Sequence, residues 1–584
     1  MTLTNGASKP ATAIQAEYDV VIVGGGPVGL LMAYQLKRFG ISAAVFEQHE
    51  KETQDAYGRA IAFFPRTLEQ LDQLELVDPM LQLGFACRSS VTYKDGKQII
   101  PGRVWTFMEN MSGTAFDFTL VLRQMYSEEI LRTKLEEISA PYFQGIECAD
   151  FVIDASAADN DYAVTTSLLN RKTKETLTVR SKYIIGTDGG RSFVRHHAGI
   201  PFDGDTSEDK WVRIDGIIET DMPITRAYGA IESKTHGNVL WAPLDHGATR
   251  IGYAYSAAIA AKYPGGITQE IAEKEAAESM KPFRVTFKET HWWTLYAIGQ
   301  RMAREFSTKA DRVFLCGDAA HTHSSGAAQG LNTGTHDAVN LAWKLALRIR
   351  GLLQPAALHT YSDERKTVVQ QLISYDRDIA TLMSHKWPEW YTGDRDADPY
   401  VILGEIFERA TSFNTGLGIF YPPNLLNKSH DGAAPAGLTV QPGHRPADVA
   451  LAMPGTGQVV RLQQATRNCA CFWVVVLAGH VASTKPALEA FAAFLAANPA
   501  LTANPAVRFL TITPPGVGSP FEVLGDIKPF GTTYYDPEGA AHQKLGVPLD
   551  TGAILIVRPD GLLGSGGPVK GEFVKTYFAD VLTS

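Results

Sequence analysis

The chain has 584 residues, of which 45% are hydrophobic and 20% charged, enough apolar material for two or three domains. A net charge of -9 supplies no basic field, which argues against nucleic acid or an anionic membrane surface as partner and in favour of a small molecule. Five cysteines are too few for a disulfide framework in so long a chain and fit a reducing, cytoplasmic setting. The longest apolar runs are strand-sized, far short of the roughly 20 residues needed to span a bilayer.

Residues 1–17 are small and polar, without the charged start and apolar run of a secretory signal, and read as a flexible N-terminal arm. Tyr18 to Gly24 is a β-branched apolar run, continuous as a buried parallel strand should be. It ends in Gly24-Gly25-Gly26-Pro27-Val28-Gly29, followed by a helical pattern and a second strand that closes on Glu47. In this G-x-G-x-x-G the first glycine permits the tight turn, the second lets backbone approach a pyrophosphate, and the third lets helix and strand pack closely. Glu47 stands where a carboxylate accepts a ribose 2′-hydroxyl, so the dinucleotide should be FAD or NAD and not NADP.

Helical spacing follows over 66–76 and 127–138. About 91–120 and 211–299 read as β-rich insertions that would form an antiparallel substrate-binding sheet. Two further strands end in acidic glycine turns: Tyr183–Gly186 runs into Asp188-Gly189-Gly190, and Arg312–Cys316 runs into Gly317-Asp318. The loop from Gly326 to Gly334 leads to a helix expected over about 335–347, and helical patterning continues over 361–383. The proline- and glycine-rich stretch 421–446 reads as a linker, which makes 18–420 one dinucleotide-binding domain with its insertions and 447–584 a separate domain. Within the latter, Ala553–Val557 enters Arg558-Pro559-Asp560-Gly561, a tight hairpin turn.

The three strand-to-glycine motifs, in this order, resemble those of the class A flavoprotein aromatic hydroxylases, the para-hydroxybenzoate hydroxylase and phenol hydroxylase group. The resemblance covers about 18–383. It implies an α/β fold, with a Rossmann-like FAD-binding domain that carries an inserted antiparallel sheet. It also implies that NADPH or NADH reduces FAD, that O2 adds at flavin C4a as a hydroperoxide, and that one oxygen atom passes to a phenolic or other activated aromatic ring. The cofactor-binding set carried over is Gly24, Gly26, Pro27, Val28, Gly29, Glu47, Gln48, Arg59, Arg123, Asp188, Gly189, Asp318, Gly330, Leu331 and Asn332. Asp318 would hold the ribitol chain, and the helix start at Gly330 would face the flavin's pyrimidine edge.

The chain departs from the family pattern at two places: Ser325 stands where members often carry proline, and Ile61 stands where phenol hydroxylase carries an aspartate base. Substrate deprotonation then needs another group, for which Tyr253, Tyr255 and His236 in the inserted sheet are the candidates. His321 and His323 lack the carboxylate or cysteine partners of a metal site, and no metal is expected. The C-terminal 447–584 resembles the thioredoxin-like domain appended in related enzymes, without a C-x-x-C, so packing or homodimer stabilisation is its expected role. Two alternatives stand beside the hydroxylase: an oxidative decarboxylase or epoxidase on the same scaffold, and a low-turnover flavoprotein that senses a metabolite.

Overall fold

The computed structural model describes residues 13–583 apart from 53–56, 159–160, 309, 325, 430–436 and 515–517. Most of the expected N-terminal arm, Ser325 and Pro435 therefore lie outside the described residues. The expected front unit is present: β1 (Glu17–Val23), α1 (Pro27–Arg38) and β2 (Ala43–Glu47). Val20 to Ile22 and Ala44 to Val45 are fully buried, as a parallel strand covered on both faces requires.

Two distant strands complete this sheet. β3 (Thr176–Gly186) pairs parallel to β1, in register Val20 to Tyr183, and its last residues pair parallel to the strand Val313–Leu315. Four parallel strands thus end side by side, and the turns after them, at Gly24, Glu47, Thr187 and Gly317, share one edge. That edge is where open α/β sheets bind ligands.

The inserted sheet has eight strands and is dominated by a pair of 19-residue antiparallel strands, β4 (Phe202–Thr220) and β5 (Val285–Ala303). Between them in sequence lie the strands Tyr228–Ser233, Gly237–Pro243 and Thr249–Tyr255 and the helix Gln269–Ser279. Alternate residues of β4 serve opposite faces: Val212 and Ile214 join the core under the helix Gln269–Ser279, while Trp211 and Arg213 face the other way. This parity decides which side chains reach the functional cavity.

The helix expected over 335–347 starts earlier. α2 spans Gly330–Ile349 because the loop's own Gly330, Leu331 and Asn332 form its first turn, and α3 follows over Pro355–Met383. The C-terminal part forms a seven-stranded sheet in which β6 (Phe472–Leu477) pairs parallel to Val507–Thr513 and antiparallel to Ala553–Val557. The Arg558–Gly561 turn closes a hairpin there, with Gly561 at φ +75°.

This C-terminal sheet is tied to α2 and α3 by buried charge. Arg558 donates to Glu364 of α3 at 2.6 and 2.9 Å and to Asp560, and Lys344 of α2 reaches the same Glu364 at 2.8 Å. All four side chains are at most 3% exposed. Unpaired, any of these charges would be costly at that depth. The opposite charges together satisfy one another.

Candidate active site

A cavity of about 1040 Å³ opens at the shared edge of the parallel strands and runs to the inserted sheet. Gly26, Pro27, Val28, Gly189, Asp318 and Gly330 line it on the side of the parallel strands, and Tyr228 and Tyr296 of the inserted sheet, with Trp105 packed on Tyr228, line it on the other. The volume is at the upper limit of ordinary small-molecule pockets, as a dinucleotide plus a substrate requires.

The glycine turn is built by close approach. A Cβ on Gly29 would stand 2.1 Å from the Gly24 carbonyl oxygen and 2.6 Å from Thr187 Oγ1, so only glycine lets α1 sit this near β1. Gly26 differs: a Cβ there meets nothing within 4 Å, because it points into open space at the helix N-terminus. That vacancy, beside unpaired amides and the positive end of the helix, matches an anionic pyrophosphate. Glu47 is buried and already accepts the amides of Gly25 (2.7 Å) and His49 (2.8 Å), which fixes it at the turn and leaves lone pairs for a hydroxyl. Gln48 follows it on the surface.

Asp318 is exposed on the cavity wall and its carboxylate has no protein partner among the described residues. It sits in a single 3-10 turn, Gly317–Ala319, well before α2, so it does not cap that helix. What holds the turn is Asp337, fully buried on α2. Its carboxylate accepts the Gly317 amide at 2.9 Å, His321 Nε2 at 2.8 Å and Arg365 Nε at 2.6 Å. Burial opposes its charge, but Arg365 and His321 hold its carboxyl down to about 2. An exposed carboxylate without a partner among the described residues, in the same cavity as Gly26, suits a polyol such as ribitol. These residues fit FAD.

The other expected cofactor contacts divide. Gly330 and Leu331 line the cavity with the first amides of α2. Asn332 instead stitches that helix to the distant strand Ala62–Phe63, accepting the Phe64 amide at 2.9 Å and donating to the Ala62 carbonyl at 3.0 Å. Asp188 accepts Ser192 Oγ at 2.5 Å and the Val194 amide at 3.1 Å. Its carboxylate organises a short helix, while Gly189 and Gly190 line the cavity. Arg59 is exposed on the cavity wall with its guanidinium 4.1 Å from the Tyr296 ring centroid. Arg123 is not on the wall: its guanidinium and amide are committed to Asp245, at 2.8 and 2.7 Å, and its neighbour Gln124 lines the cavity instead.

The structure places the candidate bases away from the cavity, Tyr253 and Tyr255 by strand parity and His236 by its position in a turn packed on Tyr253. Arg250, Gly252 and Ala254 of the strand Thr249–Tyr255 face the cavity side, which turns Tyr253 and Tyr255 to the opposite face. Tyr253 is fully buried and donates to the Ala272 carbonyl at 3.2 Å. His236 is buried on that same face, 3.2 Å from Glu275 of the helix Gln269–Ser279, and burial lowers its pKa despite that carboxylate. Both pack the sheet to its covering helix. None of the three lines the cavity. Ile61 does, so the wall at that position is apolar.

The inserted-sheet side is formed by residues that sequence reasoning passed over. Arg213 and Arg250 emerge from adjacent strands, and Arg250 is held by Asp215 in a forked pair at 2.6 and 2.8 Å. Tyr228 is fully buried against Trp105, and burial raises its phenol pKa, keeping it a neutral donor. The alternation of Val212 and Ile214 with Arg213 and Asp215 was the available signal: charges on one face of a strand whose other face is core.

Residues 17–376 match the FAD binding domain family. The chain is 33% identical over 453 residues to the 3-hydroxybenzoate 4-monooxygenase of Comamonas testosteroni, covering 73% of this chain and 69% of that protein. It is 27% identical to a phenol 2-monooxygenase of Aspergillus fumigatus over 93% of each chain. Its fold superposes on that of aklavinone-11 hydroxylase, solved with FAD and aklavinone, with a TM-score of 0.72 at 20% identity, over 97% of this chain and 99% of that one. Taken with the dinucleotide cradle at the edge of the parallel sheet, these matches establish that the chain belongs to the class A flavoprotein aromatic hydroxylases, which are FAD-dependent monooxygenases.

Proposed function

We propose that this chain hydroxylates a phenolic or similarly electron-rich ring, using NAD(P)H and O2, with the ring bound at the Trp105–Tyr228–Tyr296 end of the cavity. The observation that carries this reading is that one cavity is lined both by Gly26 and Asp318 and by Trp105, Tyr228 and Tyr296. FAD supplies the redox chemistry when bound: it accepts electrons from NAD(P)H and activates O2 for transfer of one oxygen atom to the ring.

The protein's share is placement. Gly24, Gly26, Pro27, Val28 and Gly29 would receive the pyrophosphate, Glu47 with Gln48 the adenosine ribose, and Asp318 the ribitol. The amides of Gly330 and Leu331, at the positive end of α2, would stabilise negative charge on the pyrimidine edge. Trp105, Tyr228 and Tyr296 would border the ring with aromatic surface. The C-terminal sheet, with three parallel strands beside an antiparallel hairpin and a final helix, supports the thioredoxin-like reading, with packing as its role. All five cysteines are unpaired, which supports a reducing, cytoplasmic setting, and no helix among the described residues is long and apolar enough to cross a membrane.

The test is purified holoprotein screened with phenols and hydroxybenzoates for substrate-stimulated NAD(P)H oxidation, with products weighed by mass spectrometry. The expected product gains one oxygen atom. Loss of carbon dioxide, or binding of aromatics without turnover, would contradict the reading.

A further inference from the structure

Of the five free cysteines, Cys87, Cys148 and Cys316 are buried and stand alone in sequence. Cys469 and Cys471 are separated by one residue, immediately before β6, and Cys469 is the exposed member of the pair. The turn between them sets their spacing. Two residues apart on a strand, their Cα atoms would be about 6.6 Å from each other. Ala470 instead has φ +51°, in the left-handed region that residues with a β-carbon seldom occupy. Helical curvature of either hand brings the Cα atoms on its two sides to about 5.4 Å, close to the usual disulfide separation of about 5.5–6 Å.

The two sulfurs are neighbours with unequal access. Burial pushes the Cys471 thiol up to about 12, and the Cys469 sulfur adds to that rise, while Arg508 hydrogen-bonds the Cys471 sulfur and opposes it. Cys469 lines a cavity of about 790 Å³ where the C-terminal sheet meets the helix Pro65–Gln73 and the turn after it. Asp72 and Glu75 form one wall, and Arg467, Trp473 and Arg508 line the other. Cys471 is 1% exposed and lies behind that wall. Neither cysteine lines the cavity assigned to the flavin. A small neutral oxidant therefore meets Cys469 first.

We propose that Cys469 and Cys471 form a peroxide-responsive dithiol, a modification site separate from the cavity of the hydroxylase reading and independent of it. The Cys469 sulfur attacks one oxygen of hydrogen peroxide, the O–O bond breaks, and the departing hydroxide leaves as water with the thiol proton. The Cys471 sulfur then attacks Cys469, the S–O bond breaks, and a second water carries off the Cys471 proton. Two thiols are oxidised to one disulfide, and one peroxide is reduced to two waters. A disulfide closed over a single intervening residue, with one sulfur exposed, belongs to the readily reduced kind, so a dithiol reductant reverses the change.

The experiment uses FAD-loaded, fully reduced full-length protein, with hydrogen peroxide as the probe and no aromatic substrate. After exposure the chain is denatured, its remaining thiols are blocked with iodoacetamide, and its peptides are weighed. The peptide holding Cys469 and Cys471 should be unalkylated and lighter by two hydrogen atoms, and dithiothreitol should restore both thiols. Cys87, Cys148 and Cys316 should stay alkylatable. Cys471→Ser, with Cys471→Ala as a second variant for the buried position, should leave the Cys469 sulfenic acid unresolved and raise its capture by dimedone about tenfold or more over wild type. FAD content equal to wild type shows that the variants are folded. Both cysteines still alkylatable after peroxide, wild-type Cys469 accumulating as sulfenic or sulfinic acid, its linkage to a second chain instead of to Cys471, or dimedone capture that does not rise in the folded variants would each overturn the assignment.

Discussion

The two ends of the cavity are specified by different kinds of information. At the dinucleotide end the backbone does the work: strand ends, glycine turns and helix amides, each encoded within a few consecutive residues. At the substrate end the wall is made of single side chains from strands far apart in sequence, selected by register and by strand parity. Backbone cradles recur wherever their local motif recurs. Side-chain walls depend on pairings that only the assembled sheet defines.

Breaking this contrast should produce effects that fall in a definite order. The largest is expected at Asp337, which supports the cradle from behind: Asp337→Asn leaves buried Arg365 without its counter-charge and should cost about 3–5 kcal/mol in denaturant unfolding. The effect has a pH signature. Because the folded carboxyl is depressed to about 2 against an unfolded value near 3.9, its stabilisation is complete above about pH 4. It is lost as pH falls toward 2, so the wild-type and Asp337→Asn stability curves should converge across that window.

Gly29→Ala comes next. Its Cβ collides with backbone that cannot yield, and a loss of about 3 kcal/mol is expected, read from the urea midpoint of the apoprotein. Gly26→Val sharpens the point from the opposite side: the open space at Gly26 should leave apoprotein stability within about 0.5 kcal/mol, while FAD titration shows affinity lost by about 100-fold or more. Asp318→Ala, which removes a carboxylate without a protein partner, should weaken FAD about tenfold by fluorescence titration and leave the apoprotein melting temperature unchanged. The smallest effect belongs to the far face of the inserted sheet. Tyr253→Phe should lower stability by about 1 kcal/mol through the lost Ala272 bond and leave kcat/KM for the ring unchanged.

The contrast also explains how much could be read from the sequence. The β1-α1-β2 unit, the turns at Asp188 and Asp318 and the hairpin at Arg558 were legible because their chemistry is local. Gly330 and Leu331, expected at the cofactor, line the cavity, and the helix begins at that point and not five residues later. Arg123 and Asn332 were less legible: their partners, Asp245 and the Ala62–Phe64 backbone, are respectively 122 and about 270 residues away, and no local pattern announces them. Tyr253 and His236 attracted attention as titratable groups in the right sheet. Tyr253 alternates with Arg250 and Gly252, and His236, in the turn before Gly237, packs on Tyr253, so both face the covering helix and not the cavity.

Both ends depend on one premise, that the four strand-end turns enclose a flavin. The most direct measurement is the amount of FAD released on denaturation from purified, flavin-saturated wild type, compared with Gly26→Val prepared in the same way. The account predicts about one FAD per wild-type chain and almost none from the variant despite its intact fold. Equal flavin content in the two proteins, or a wild-type chain that stays colourless after incubation with FAD, would contradict it.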